Sequence, residues 1–201
     1  MGYRKALAWG SVLALSAGAV YLWTREEDRG ASDDAPGRTA RRKDFNGFTI
    51  AGRAVTIREA PETIHAALRD PATLSRIFGG EATCVWLGPE EMEWTVPTPL
   101  GDTAIRLRLV SDRNGEVLAW RSVDGASVDM EAKVQLRRTE PDRGTVVEAH
   151  VAWRPLLGMA GALAARMVGS DPGTLCTHAL KRLKMLLETG EIAIATERRA
   201  A

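Results

Sequence analysis

The sequence predicts an α+β chain in which a curved antiparallel sheet wraps a long C-terminal helix, preceded by one N-terminal transmembrane helix. Three observations predict it. Apolar and polar residues alternate with period two through most of 44–154. A helical stripe of Leu175, Ala179, Leu183 and Leu186 follows it. Residues 6–23, ALAWGSVLALSAGAVYLW, carry no charge at all.

Composition sets the bounds. The 201 residues are 45% hydrophobic and 26% charged, so the chain has enough apolar content for a core and is not uniformly disordered. The 27 Lys and Arg nearly cancel the 26 Asp and Glu, leaving +1, which excludes a broadly basic nucleic-acid binder. Cys84 and Cys176 are the only cysteines, too few for a disulfide scaffold or a multi-cysteine zinc site.

As a helix, residues 6–23 reach ~27 Å, close to the ~30 Å hydrocarbon core of a bilayer. Tyr3, Trp9, Tyr21 and Trp23 sit toward the ends, where amphipathic rings suit the membrane boundary. Arg4, Lys5 and Ala17-Gly18-Ala19 also fit a cleaved signal peptide. The apolar run continues through Trp23, which favours a retained anchor with the bilayer as partner. Arg25, Arg29, Arg38, Arg41, Arg42 and Lys43 follow the span and draw the domain toward the cytoplasmic side, although the short basic n-region argues the other way. Mixed charge, Gly and Pro make 24–43 a flexible tether. The expected organisation is an anchor over 1–23, a linker over 24–43, a domain over 44–191 and a tail over 192–201.

Within the domain, Ala54–Ile57 reads as a first strand. Pro61 then opens a short helix through Leu68, and Asp70-Pro71 starts a second over 71–78 that ends at Gly79-Gly80. Six strands follow: Thr83–Leu87, Met92–Val96, Thr103–Ser111, Val117–Val123, Ser127–Arg138 and Thr145–Arg154. Turn signals such as Asn114-Gly115 and Asp124-Gly125 separate most of them and imply a meander of hairpins. Ile105, Leu107 and Leu109 share one face, with Arg106 and Arg108 on the other. Val128, Met130, Ala132, Val134 and Leu136 repeat that pattern, as do Val147, Ala149, Val151 and Trp153. Ser170-Asp171-Pro172 caps the terminal helix, and Gly190 ends it.

The segments RDPATLSRIF (69–78), LAWRSVDGASVDMEAKVQLRR (118–138), RGTVVEAHVAWRP (143–155) and GSDPGTLCTHALKRLKMLLETGEI (169–192) resemble the SRPBCC (START-like, helix-grip) superfamily. Within it they are similar to polyketide cyclase/dehydrase-type proteins related to the coenzyme Q-binding START proteins. The resemblance implies a hydrophobic cavity between sheet and terminal helix. Candidate lining residues are Trp94, Leu107, Leu109, Trp120, Met130, Ala132, Leu163, Met167, Leu175 and Ala179, which equally suit a plain packed core. The apolar segment 156–168, LLGMAGALAARMV, reads either as a gate at the cavity mouth or as a short helix packed on the sheet edge.

No catalytic or metal motif is present, and nothing calls for a cofactor. His65, His150 and His178 lack ligand spacing. Asp129 and Glu131 form a carboxylate pair on a strand, but on the face opposite the apolar set. Glu93 and Arg121 would bear on a ligand only if they pointed inward beside Trp94 or Trp120. The reading that follows is a membrane-anchored binding module for a hydrophobic small molecule such as a lipid, quinone or isoprenoid. A polyketide cyclase/dehydratase-like enzyme and an anchored protein-interaction scaffold are the alternatives, and the oligomeric state is left open.

Overall fold

A computed structural model describes residues 37–41, 44–79, 82–98, 101–126, 128–139, 143–154 and 172–192. The chain divides after Gly30, and all described residues belong to the second unit, Ala31–Ala201. In chain order the elements are β1 (Gly37–Arg38), β2 (Asp44–Phe45), β3 (Phe48–Ile57), α1 (Pro61–Arg69), α2 (Pro71–Phe78), β4 (Thr83–Trp86), β5 (Glu91–Thr98), β6 (Gly101–Arg113), β7 (Val117–Ser122), β8 (Met130–Arg138), β9 (Thr145–Trp153) and α3 (Pro172–Thr189).

The strands form one antiparallel sheet, ordered β1-β3-β9-β8-β7-β6-β5-β4, with β2 also paired to β3. Strand β3 is longer than its predicted core, starting at Phe48 where 54 was expected. The turn before it is Asn46-Gly47, both at positive φ (48° and 81°), which folds β2 back on β3. From β4 to β9 the chain runs as the meander that the turn signals imply.

Two short helices lie between β3 and β4. Pro61 and Pro71 occupy the first turns of α1 and α2, where a missing N–H costs nothing. Asp70 caps α2 by accepting from the Thr73 hydroxyl (2.6 Å) and from the amides of Thr73 and Ala72. Those bonds, the Thr73 hydroxyl first, hold its carboxyl below the ordinary aspartate value. The outer edge of β4 is closed by α2 rather than left open: Cys84 N donates to Ser75 Oγ (3.2 Å), and the Cys84 thiol reaches Pro71 O.

One face of the sheet packs on the helices. Ile57, Val147 and Leu183 are completely buried there, with Val55, Leu118 and Ile64 beside them. Helix α3 rests on β3, more lightly on β9, and against α2. Its Cys176, Ala179, Leu180 and Leu183 point into the core, while Leu175 and Leu186 are half-buried. The opposite face is a ladder of ion pairs: Glu93–Arg106 (2.9 Å), Glu91–Arg108 (2.6 Å), Glu131–Arg121 (2.8 Å) and Glu148–Arg137 (3.0 Å). These pairs are exposed to solvent, which screens them, so they mark the wet face more than they stabilise it.

The N-terminal transmembrane helix requires correction. No helix among the described residues is long and apolar enough to cross a membrane. The longest, Pro172–Thr189, carries Lys181, Arg182, Lys184 and Glu188. Residues 6–23 lie outside the described residues. The single-pass anchor, the bilayer as partner through 6–23 and the membrane location with a cytoplasmic-facing domain are therefore withdrawn.

Candidate functional site

The face of the sheet under the helices carries the expected lining residues. Register sets Leu109, Trp120, Ala132, Val151 and Ala51 side by side across β6, β7, β8, β9 and β3. Leu107 lies one pleat along on β6. Trp94, paired with Ile105, faces the same way from β5. Met130 is on this face two residues before Ala132, and Leu175 and Ala179 are on α3. Leu163 and Met167 fall outside the described residues, as does the whole 156–168 segment.

Their burial is uneven. Leu107 (3%), Leu109 (8%), Trp120 (7%) and Ala179 (6%) are buried, whereas Trp94, Met130, Ala132 and Leu175 are only half-buried. So are Val96, Val134 and Val151. Helix α3 approaches β3 most closely and β9 next. A half-buried apolar surface runs along β5 and β8 on the helix-facing side.

Polar groups on this face are few. Arg53, on β3, donates from Nε to Thr177 Oγ1 (2.8 Å) and from a terminal nitrogen to Gly52 O (2.8 Å), which fixes it against α3. Trp94 Nε1 donates to Met92 Sδ (3.1 Å), and the Trp94 ring meets Phe78 edge-on at 4.8 Å. Trp120 Nε1 is different: it is fully buried and has no hydrogen-bond partner among the described residues. An orphaned buried donor costs about 1–3 kcal/mol. The two cysteines add no reactivity. Burial pushes the Cys84 thiol up to about 11 and the Cys176 thiol up to about 12, so neither is a thiolate at neutral pH.

A second cluster, which sequence reasoning missed, lies at the β6 end near α1. A bulge between Leu109 and Ser111 shifts the register, so that Asp112 pairs with Leu118 and turns toward the helices. Its Oδ1 accepts from Nε2 of the buried His65 (2.8 Å) and its Oδ2 from Arg69 (3.0 Å). The Arg69 guanidinium also stacks 4.8 Å from the Trp86 ring centroid. A cavity of about 330 Å³, lined by Arg69, Glu90, Ser111 and Asp112 among others, opens beside it. Both Asp112 oxygens are engaged in tying α1 to β6, so this carboxylate is structural. A bulge has no fixed residue signature, and period-two counting along 103–111 gives no warning of it.

The remaining charged candidates point away from the helices. Glu131 pairs with Arg121 and Glu93 with Arg106 on the wet face, and Asp129 lies 3.5 Å from Arg154. His178 is exposed, and His150 sits half-buried on the outer face with its Nε2 3.1 Å from Thr39 Oγ1. Among the described residues no three His, Cys, Asp or Glu gather as a metal site.

No protein-family model matches the chain, and no curated protein does. Solved structures do. A Deinococcus radiodurans protein is 27% identical, with a TM-score of 0.57 over 71% of this chain and 100% of its own. A START superfamily protein from Mycobacterium smegmatis is 15% identical, with a TM-score of 0.51 over 68% of this chain and 98% of its own. One more is the di-domain ARO/CYC StfQ of the steffimycin biosynthetic pathway, 13% identical, with a TM-score of 0.54 over 70% of this chain and 51% of its own. The chain shares its fold, an antiparallel sheet with a long terminal helix, with these structures, a START superfamily protein among them. None of these likenesses singles out a coenzyme Q-binding START protein.

Proposed function

We propose that the chain binds an uncharged hydrophobic small molecule, of lipid, quinone or isoprenoid type, against the helix-facing side of its sheet. The observation that carries this reading is the half-covered apolar surface of Trp94, Val96, Met130, Ala132, Val134 and Val151. An apolar surface of that kind gains about 25 cal/mol for each Å² a guest removes from water. Binding is favoured over catalysis because Glu93, Glu131 and Asp129 each face an arginine away from this surface. Asp112 is held by His65 and Arg69. That leaves the inward face without a free acid–base pair among the described residues. Kinship with polyketide cyclase/dehydrase-type proteins enters as fold alone, and fold does not carry a reaction.

The test is a titration of the full chain with an uncharged, environment-sensitive apolar dye. Saturable uptake with one dye per chain is expected, with emission moving to shorter wavelength. Uptake that stays linear with dye concentration, as for loose surface adsorption, overturns the reading.

A further inference from the structure

Trp120 gives the proposed guest a chemical identity. The side chain is more than nine-tenths buried, and its Nε1 is a donor with no acceptor among the described residues. The other two indoles with assigned bonds show how this interior usually treats such a group: Trp94 donates to Met92 Sδ and Trp86 to Arg69 O. Trp120 stands in the middle of the row Leu109–Trp120–Ala132–Val151, so neither residue directly opposite it, Leu109 or Ala132, has a side-chain acceptor to offer. From the structure we infer that Trp120 Nε1 is the docking point for a hydrogen-bond-accepting oxygen on a neutral, otherwise apolar guest: a ketone, ester or ether.

The charge requirement comes from the surroundings. Asp112, one pleat along on the neighbouring strand, is already paired with His65 and Arg69. Arg53 is three strand spacings away, about 14 Å, and already bonded to Thr177 and Gly52. A carboxylate guest at Trp120 would be buried with neither arginine free to pair it. An indole N–H only donates, so the matching group must accept. The oxygen reaches it by displacing the side chains that cover it. Ala132, directly opposite, is small and half-buried, and Met130, diagonal to it, is flexible.

This inference rests on the binding reading above, and the experiment separates the two. Fluorene and fluorenone share one planar tricyclic shape and differ by a ketone. Each is used to displace the dye from the full wild-type chain and from Trp120→Phe. The expected result is a preference for fluorenone over fluorene in the wild type that falls at least about tenfold in the variant, while fluorene affinity changes less. In the wild type, the Trp120 indole Nε1–H resonance, assigned from nuclear Overhauser contacts within the wild-type chain itself, moves downfield with fluorenone and not with fluorene. That second readout needs no folded variant. An unchanged preference, an unmoved resonance, or failure of fluorenone to displace bound dye overturns the inference and leaves the binding reading standing. Absence of saturable dye uptake overturns the reading itself.

Discussion

Replacing Gly144 by alanine lowers the stability of the fold by about 3–5 kcal/mol. Gly144 enters β9 at φ 114°, a conformation that residues with a side chain rarely adopt. A Cβ there would run into the Ile57 carbonyl oxygen and lie 2.8 Å from Arg58 Cα, both backbone atoms that cannot swing aside. Its own carbonyl is also engaged, accepting from Thr139 N and Oγ1 at 2.9 Å each. The next residue, Thr145, is completely buried and donates to Glu59 O (2.7 Å), so the turn cannot slide away as a unit. Strain and collision therefore add. Urea denaturation followed by circular dichroism measures the loss, with Gly88→Ala as control, since nothing lies within 4 Å of a Cβ there. The control changes stability by no more than about 0.5 kcal/mol. A Gly144→Ala loss below about 1 kcal/mol would show that the crossing of β9 over the end of β3 is looser than the contacts imply.

Leu183→Ala costs about 3–4 kcal/mol. Leu183 is completely buried on α3 where the helix meets β3 and α2. Removing three carbons from a site enclosed by sheet and helix backbone leaves a hole the surroundings cannot fill. Leu186, half-buried three residues on, is the comparison, and its alanine variant loses about 1 kcal/mol. The measurement is the midpoint shift in the same urea experiment. Equal losses at the two positions would mean that α3 is not clamped to the sheet along Leu183.

Much of this architecture was legible in the letters, and the reasons are specific. Strands β6, β8 and β9 alternate cleanly, so Ile105, Leu107 and Leu109 were separable from Arg106 and Arg108 by period alone. The stripe on α3 was equally plain, and Asp70-Pro71 marked a helix start that the cap bonds explain. The first half of β3 was missed because Ala51, Gly52 and Arg53 blur the alternation. The Asn46-Gly47 turn that announces it was there to be read. The His65–Asp112–Arg69 cluster was out of reach, since it exists only because one residue bulges from β6.

The candidate site divides along the same line. Trp120 was named as a lining residue of the cavity that the resemblance implies, whereas its lack of a partner among the described residues depends on neighbours from other strands. That Trp94, Met130 and Ala132 would be only half-buried could not be read from any single helix or strand pattern. The membrane anchor over 6–23 was a reading of hydrophobicity, length and end-placed aromatic rings, and no described helix provides it.

The central claim is that an apolar guest occupies the helix-facing side of the sheet, and native mass spectrometry of the full chain isolated from cells tests it most directly. The account predicts a mass excess of one small molecule per chain, released by organic solvent as an uncharged compound. The same chain with Ala132→Trp, which fills the surface beside Trp120, should carry no such excess while keeping its circular dichroism spectrum. A wild-type chain that takes up nothing, even when an excess of apolar compound is supplied, would contradict the account.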